Sequence, residues 1–227
     1  RVVCPDIAGR GLSDWLKDPA GYVLPNYVAD VVTLIARLDV EAVDWVGISM
    51  GGLIGMALAS MEKTPVRRLV VSDVGPEITI ESIQRIASYV GTDPRWTSFD
   101  EAMAYIRVVS APFGKLGDEQ WRHLTEHCVR QDADGGWRFR YDPKVAEPFK
   151  AAFSGEPIDL WPFYERIVCP TLVVRGAESD LLTRETWEQM GKRGPRAKLV
   201  EIPEVGHAPM FLTDEQIAVA RDFLLAS

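Results

Sequence analysis

The stretch Gly47-Ile48-Ser49-Met50-Gly51-Gly52 sets a serine between glycines at fixed spacing. Residues 43–48 are apolar except for Asp44 and predict a short buried strand. Residues 53–61 are helix formers, so the G-x-S-x-G pattern falls at a strand-to-helix junction. A turn that sharp strains the serine backbone and lifts its hydroxyl clear of the strand. Gly47 and Gly51 are expected to be glycine because a Cβ there would strike the neighbouring strand or helix. The helix opening at Met50 brings its positive dipole end and backbone N–H groups next to the hydroxyl. Nucleophilic attack is the chemistry such a serine serves.

A serine hydroxyl is a weak nucleophile without a base to take its proton. The chain has three histidines. His207, in Val205-Gly206-His207-Ala208-Pro209, follows the last predicted strand and so lies at the sheet edge where Ser49 emerges. The base in turn needs an acid to fix its tautomer. Asp180 follows a strand at 171–175 through Gly176-Ala177-Glu178-Ser179, again at a carboxyl end. The order Ser49, Asp180, His207 is the one found where a strand–helix elbow carries the serine. Asp73, which ends a third strand beside the elbow, is the competing acid, and order and position favour Asp180. Glu178 reads as a solvated loop charge.

These residues require elements to hold them. Strands are predicted at 1–4, 43–48, 68–73, 171–175 and 198–202, with helices at 26–38, 183–192 and 214–225. Short apolar strands alternating with helices predict an α/β fold with a doubly wound, mostly parallel sheet, whose ligands bind at the carboxyl ends of the strands. Between 76 and 160 the alternation stops. Helices are predicted there at 79–89, 99–109, 118–130 and 144–153, with an extended stretch at 135–141. Ser98 with Glu101 and Thr213 with Gln216 form capping boxes. The insertion is rich in aromatics, Phe149 and Phe153 among them. Of these Tyr105, Trp137 and Phe139 are candidate substrate contacts.

Together, Pro5-Asp6-Ile7-Ala8-Gly9-Arg10-Gly11-Leu12-Ser13-Asp14, residues 47–52, residues 176–180 and Gly206-His207 resemble the α/β-hydrolase superfamily in its capped, single-chain form. The resemblance spans nearly the whole chain. It implies a core at 1–75 and 161–227 with a helical cap at 76–160, and the Met50 N–H as one oxyanion-hole donor. It implies a serine hydrolase acting through an acyl-enzyme on a small or medium apolar carboxylic ester, lactone or thioester. A carbon–carbon bond hydrolase and a non-catalytic ligand-binding member are the alternatives. Members that use Asp as nucleophile are set aside, because residue 49 is Ser. The family's second oxyanion donor and a further strand would precede residue 43 and are not found, so chain upstream of Arg1 is expected.

Other classes are disfavoured. Net charge is −8, which does not suit a nucleic-acid backbone. No apolar run is long enough to span a bilayer. His123-Leu124-Thr125-Glu126-His127 matches a zinc pattern, but its histidines fall on the polar side of a helix without a third ligand, so no metal is expected. No organic cofactor is required. Cys4, Cys128 and Cys169 are scattered and odd in number, which fits buried thiols in a reducing, cytoplasmic setting. The expected partner is a small-molecule substrate, on a monomer or homodimer.

Overall fold

Four apolar runs pair into one parallel sheet in the computed structural model, which describes residues 1–151 and 157–226. In chain order the elements are α1 (Leu24–Arg37), β1 (Val43–Ile48), α2 (Met50–Ala59), β2 (Val66–Ser72), β3 (Glu77–Ile78), α3 (Ile80–Tyr89), α4 (Phe99–Val109) and α5 (Asp118–Cys128). Then follow β4 (Val129–Gln131), β5 (Trp137–Phe139), α6 (Ala146–Ala151), β6 (Ile158–Asp159), α7 (Trp161–Tyr164), β7 (Thr171–Gly176), α8 (Arg184–Met190), β8 (Lys198–Ile202) and α9 (Asp214–Leu224). The main sheet has the order β1-β2-β7-β8, all parallel. Its two central strands are β2 and β7. Leu69, Val70 and Val71 in β2 and Leu172, Val173 and Val174 in β7 are fully buried, as strands covered on both faces require.

The chain divides into two compact units. One comprises Arg1–Asp30, Ile83–Ala111 and Leu116–Gly155; the other comprises Val31–Ser82, Pro112–Lys115 and Glu156–Ser227 and contains the whole main sheet. This differs from a division at 1–75, 76–160 and 161–227. Residues 1–30 cluster with the helical unit because their turn is bonded to it. Gly11 N–H donates to the Arg140 carbonyl (2.8 Å) and Asp142 N–H to the Gly9 carbonyl (2.8 Å). Tyr22 O–H donates to the Asp142 carboxylate at 2.7 Å, and burial, reinforced by that carboxylate, pushes the Tyr22 phenol up to about 12.

Within the helical unit Trp96, Ala102, Ile106, Trp121 and Val129 form a buried cluster. The α5 helix stops at Cys128 instead of running to residue 130, because residues 129–131 pair with β5 as an antiparallel hairpin. The expected helix at 144–153 is a 3-10 turn followed by α6; its last two residues, 152 and 153, lie outside the described residues. Ser98 caps α4 by accepting from Glu101 N–H, and Thr213 caps α9 by accepting from Gln216 N–H.

Residues 1–4 do not form the expected buried strand. Val2 and Val3 are 88% and 43% exposed, and no strand is assigned there, since an extended segment needs a neighbour's ladder to satisfy its backbone. Cys4 and Cys128 are exposed, contrary to the buried thiols expected, while Cys169 is buried.

The elbow depends on one glycine more than the other. A Cβ on Gly47 would lie 2.1 Å from the Gly51 carbonyl oxygen, whereas a Cβ on Gly51 would meet nothing within 4 Å. The expectation for Gly51 is therefore corrected, because its missing side chain faces open space. Gly47→Ala is expected to destabilise the chain by about 3 kcal/mol, since backbone and not a flexible side chain must yield. Gly51→Ala is expected to leave stability unchanged or slightly raised; urea denaturation of the two variants checks the contrast.

Candidate active site

The carboxyl edge of the main sheet gathers three side chains from three loops. Ser49 follows β1 with φ 50° and ψ −117°, the strained conformation expected of the elbow. Its N–H donates to the Ser72 carbonyl at 2.9 Å, so the parallel ladder holds the turn. Asp73 follows β2, also at positive φ (53°), and its N–H donates to the Val174 carbonyl at 2.8 Å. His207 lies in the loop after β8. That loop is tied down where the Ser72 hydroxyl donates to the Pro209 carbonyl (3.0 Å) and Gly206 N–H donates to the Pro112 carbonyl (2.7 Å). Gly176, at the end of β7, permits the loop's approach, since a Cβ there would lie 2.2 Å from the Gly206 carbonyl oxygen.

The three side chains form a line. His207 Nε2 is 3.0 Å from Ser49 Oγ, and His207 Nδ1 is 2.8 Å from Asp73 Oδ2. A carboxylate is an acceptor only, so the neutral ring carries its proton on Nδ1 and donates it to Asp73. Nε2 is then an acceptor for the Ser49 O–H. That is the tautomer a general base requires. The Asp73 side chain is fully buried and the His207 side chain is 12% exposed. Asp73 Oδ1 accepts from Gly176 N–H at 2.8 Å, and Oδ2 accepts also from the Ser179 hydroxyl at 2.6 Å.

The acid facing His207 is therefore Asp73 and not Asp180. Asp180 is exposed, and its backbone carbonyl accepts from the Ser82 hydroxyl at 2.8 Å. The loop after β7 turns Ser179 inward, and Ser179 spends its hydroxyl on Asp73. The sequence did carry a signal for Asp73, a carboxylate directly after an apolar strand, which must be buried and therefore must be partnered. Ser179 had no signal of its own and was not anticipated.

Met50 is the first residue of α2, directly after Ser49. Tyr105, Trp137 and Phe139 belong to the helical unit and pack into its aromatic cluster. The Trp96 ring lies 5.3 Å from Tyr105 and 5.1 Å from Phe139, and the Phe99 ring 5.4 Å from Trp137. His123 and His127 are exposed on α5, where His127 Nδ1 is 2.8 Å from the His123 carbonyl. Among the described residues there is no group of three or more His, Cys, Asp or Glu placed to hold a metal ion. Nor is any described helix long and apolar enough to cross a membrane.

A sequence model of the alpha/beta hydrolase family matches residues 1–221. The chain belongs to the alpha/beta hydrolase family. It is 52% identical over 231 residues to a 3-hydroxybutyrate-oligomer hydrolase of Cupriavidus necator, spanning 98% of this chain and 78% of that protein. It is 41% identical over 215 residues to a 2-hydroxymuconate semialdehyde hydrolase of a Pseudomonas species, spanning 91% of this chain and 70% of that protein. A crystal structure of an alpha/beta hydrolase from Novosphingobium aromaticivorans matches with a TM-score of 0.88 at 34% identity, covering 97% of this chain and 78% of that one. This alpha/beta hydrolase thus has the family's parallel sheet and a serine elbow at its carboxyl edge.

If the buried carboxylate is the one that orients His207, Asp73→Asn lowers kcat by about ten-thousand-fold through the wrong imidazole tautomer. Asp180→Asn, at an exposed position, leaves kcat near the parent value. Steady-state kinetics of the two variants, with circular dichroism to confirm folding, distinguishes the two acids.

Proposed function

We propose that this alpha/beta hydrolase is a serine esterase that cleaves short hydroxy-acid oligoesters through an acyl-enzyme. The observation that carries the reading is the unbroken line from Ser49 Oγ through the His207 ring to the buried Asp73 carboxylate, at 3.0 Å and 2.8 Å. Ser49 Oγ attacks the ester carbonyl carbon while His207 Nε2 takes its proton. Asp73 orients the ring and stabilises the imidazolium that forms. The carbonyl oxygen becomes an oxyanion, for which the Met50 N–H at the start of α2 is the proposed donor. The tetrahedral intermediate collapses, the alcohol leaves with the proton from His207, and the acyl group stays on Ser49. Water then attacks the acyl carbon with His207 again as base, releasing the acid and restoring the serine.

The substrate class is supported by the 52% identity to a 3-hydroxybutyrate-oligomer hydrolase. A second reading, carbon–carbon bond hydrolysis of a vinylogous diketone, is favoured by the 41% identity to a 2-hydroxymuconate semialdehyde hydrolase. Both start from an attack on a carbonyl carbon, and they differ in the leaving group: an alkoxide that needs one proton, or a carbon fragment that must be protonated on carbon.

The test has two arms. Fluorophosphonate is expected to label Ser49 in the parent and to leave Ser49→Ala unlabelled, with Ser49→Ala losing about a million-fold in kcat if the three residues act as a unit. Near-parental hydrolysis by that variant refutes the serine mechanism. Rates on 3-hydroxybutyrate dimer and trimer are expected to exceed those on a vinylogous diketone, and the reverse ranking selects the second reading.

A further inference from the structure

We infer that Ser179 is a positioning residue for this reaction, its hydroxyl fixing the Asp73 oxygen that accepts the His207 Nδ1 proton. The inference rests on the serine-esterase reading above and extends it to a residue on the loop after β7.

A hydroxyl has one proton and two lone pairs. Both lone pairs of Ser179 Oγ are engaged, by Leu181 N–H at 3.2 Å and by Leu182 N–H at 3.1 Å. Its proton has one remaining direction, and that is Asp73 Oδ2 at 2.6 Å. The same oxygen accepts from His207 Nδ1 at 2.8 Å, and Oδ1 accepts from Gly176 N–H at 2.8 Å. The carboxylate therefore cannot rotate about its Cβ–Cγ bond without giving up a donor, and the lone pair aimed at His207 is fixed by the bond to Ser179.

The backbone that carries Ser179 is itself held. Arg175 in β7 has a side chain only 6% exposed, and its guanidinium donates to the carbonyls of Leu182 (2.7 Å), Ala177 (3.1 Å) and Ser179 (3.1 Å). It also pairs with Glu201 in β8 at 2.7 Å. Ser179 N–H donates to the Gly176 carbonyl at 2.9 Å, closing the turn. The hydroxyl is thus supplied by a loop clamped on both sides, and its 8% exposure keeps competing water away.

Charged groups of the described residues lie on the elements next to this acid. Arg175 in β7 and Glu201 in β8 form an ion pair on the strands beside it. Glu178 and Asp180 flank Ser179 on the loop after β7, and Glu204, paired with Lys115 at 2.9 Å, precedes His207. Variants at Ser179 leave all of these in place. Removing the neutral donor concentrates negative charge on Oδ2, which favours the protonated imidazole in the free enzyme. The acidic limb of kcat/KM therefore moves to higher pH when the hydroxyl is removed.

The test compares parent, Ser179→Ala, Ser179→Thr and Ser49→Ala on a short-chain acyl ester by pH-stat, with thermal melts of each. Ser179→Ala is expected to lose about 10- to 100-fold in kcat, the scale of one hydrogen bond to a charged group. Its KM is expected to stay within about twofold of the parent, as for an interaction that serves the reaction step. Its acidic limb is expected to shift upward, while Ser179→Thr, which keeps a hydroxyl, retains most of kcat and the parent limb. A folded Ser179→Ala with the parent's kcat and limb overturns the inference. So does a loss that is equal at every pH and tracks the fraction unfolded. If Ser179→Ala does not fold, Ser179→Cys, which keeps a weak donor of similar size, takes its place: a raised limb with reduced kcat supports the inference, and parental kinetics overturn it. Ser49→Ala separates the two readings. Should it retain activity, the esterase mechanism falls and takes the inference with it. Should it be inactive while Ser179→Ala matches the parent, the inference alone falls.

Discussion

A carboxylate with no solvent exposure at the end of a strand is the constraint on which the site depends. Stripping water from such a charge costs several kcal/mol unless donors replace it. Asp73 has three: the Gly176 N–H, the Ser179 hydroxyl and the His207 ring. Two come from the end of β7 and the turn after it and the third from the loop after β8, so the ends of β2, β7 and β8 must meet at one point for the charge to be tolerated. The ladder register delivers this. Ser72 in β2 stands opposite Val174 in β7, and Gly176 stands opposite Ile202 in β8.

The backbone at the two ends of this line is strained in the same sense. Ser49 and Asp73 both sit at positive φ, at 50° and 53°. A non-glycine residue there costs about 1–3 kcal/mol and persists only where the surroundings impose it. The imposition is visible in the bonds from Ser49 N–H to Ser72 and from Asp73 N–H to Val174, each one strand further into the sheet. Two buried central strands with fully buried valines and leucines supply the rigidity that holds both turns.

Much of this was legible in the amino-acid order. The four sheet strands, the helix after Ser49, and His207 beyond the last strand follow from apolar periodicity and from one short motif in its proper context. The identity of the acid was not, because Asp73 and Asp180 both follow strands of the same sheet and telling them apart depends on which way a loop side chain turns. Ser179 turns in and Asp180 turns out, and local composition says nothing about that choice. Residues 1–4 misled for a different reason. Val2-Val3-Cys4 has the composition of a buried strand, but a strand is a property of its pairing, and residues 1–4 are assigned to no strand among the described residues. Gly51 misled because the reason for a glycine was assigned to both flanking positions, whereas only Gly47 faces backbone.

In the proposed reaction the serine, imidazole and carboxylate set what kind of bond is attacked, and the choice of substrate lies elsewhere. Relatives named for an ester oligomer and for a semialdehyde align with this chain over 98% and 91% of its length. Discrimination between such substrates resides in the groups that receive the leaving fragment. An alkoxide needs only the proton already on His207 Nε2, the nitrogen nearest Ser49. A carbon fragment must present its nucleophilic carbon to a proton donor, which demands a pocket that holds an extended conjugated chain in one orientation. In the proposed mechanism the former demand is met by the His207 proton. The latter adds requirements on side chains beyond Ser49, His207 and Asp73, so an ester is the substrate class that asks least of the rest of the molecule.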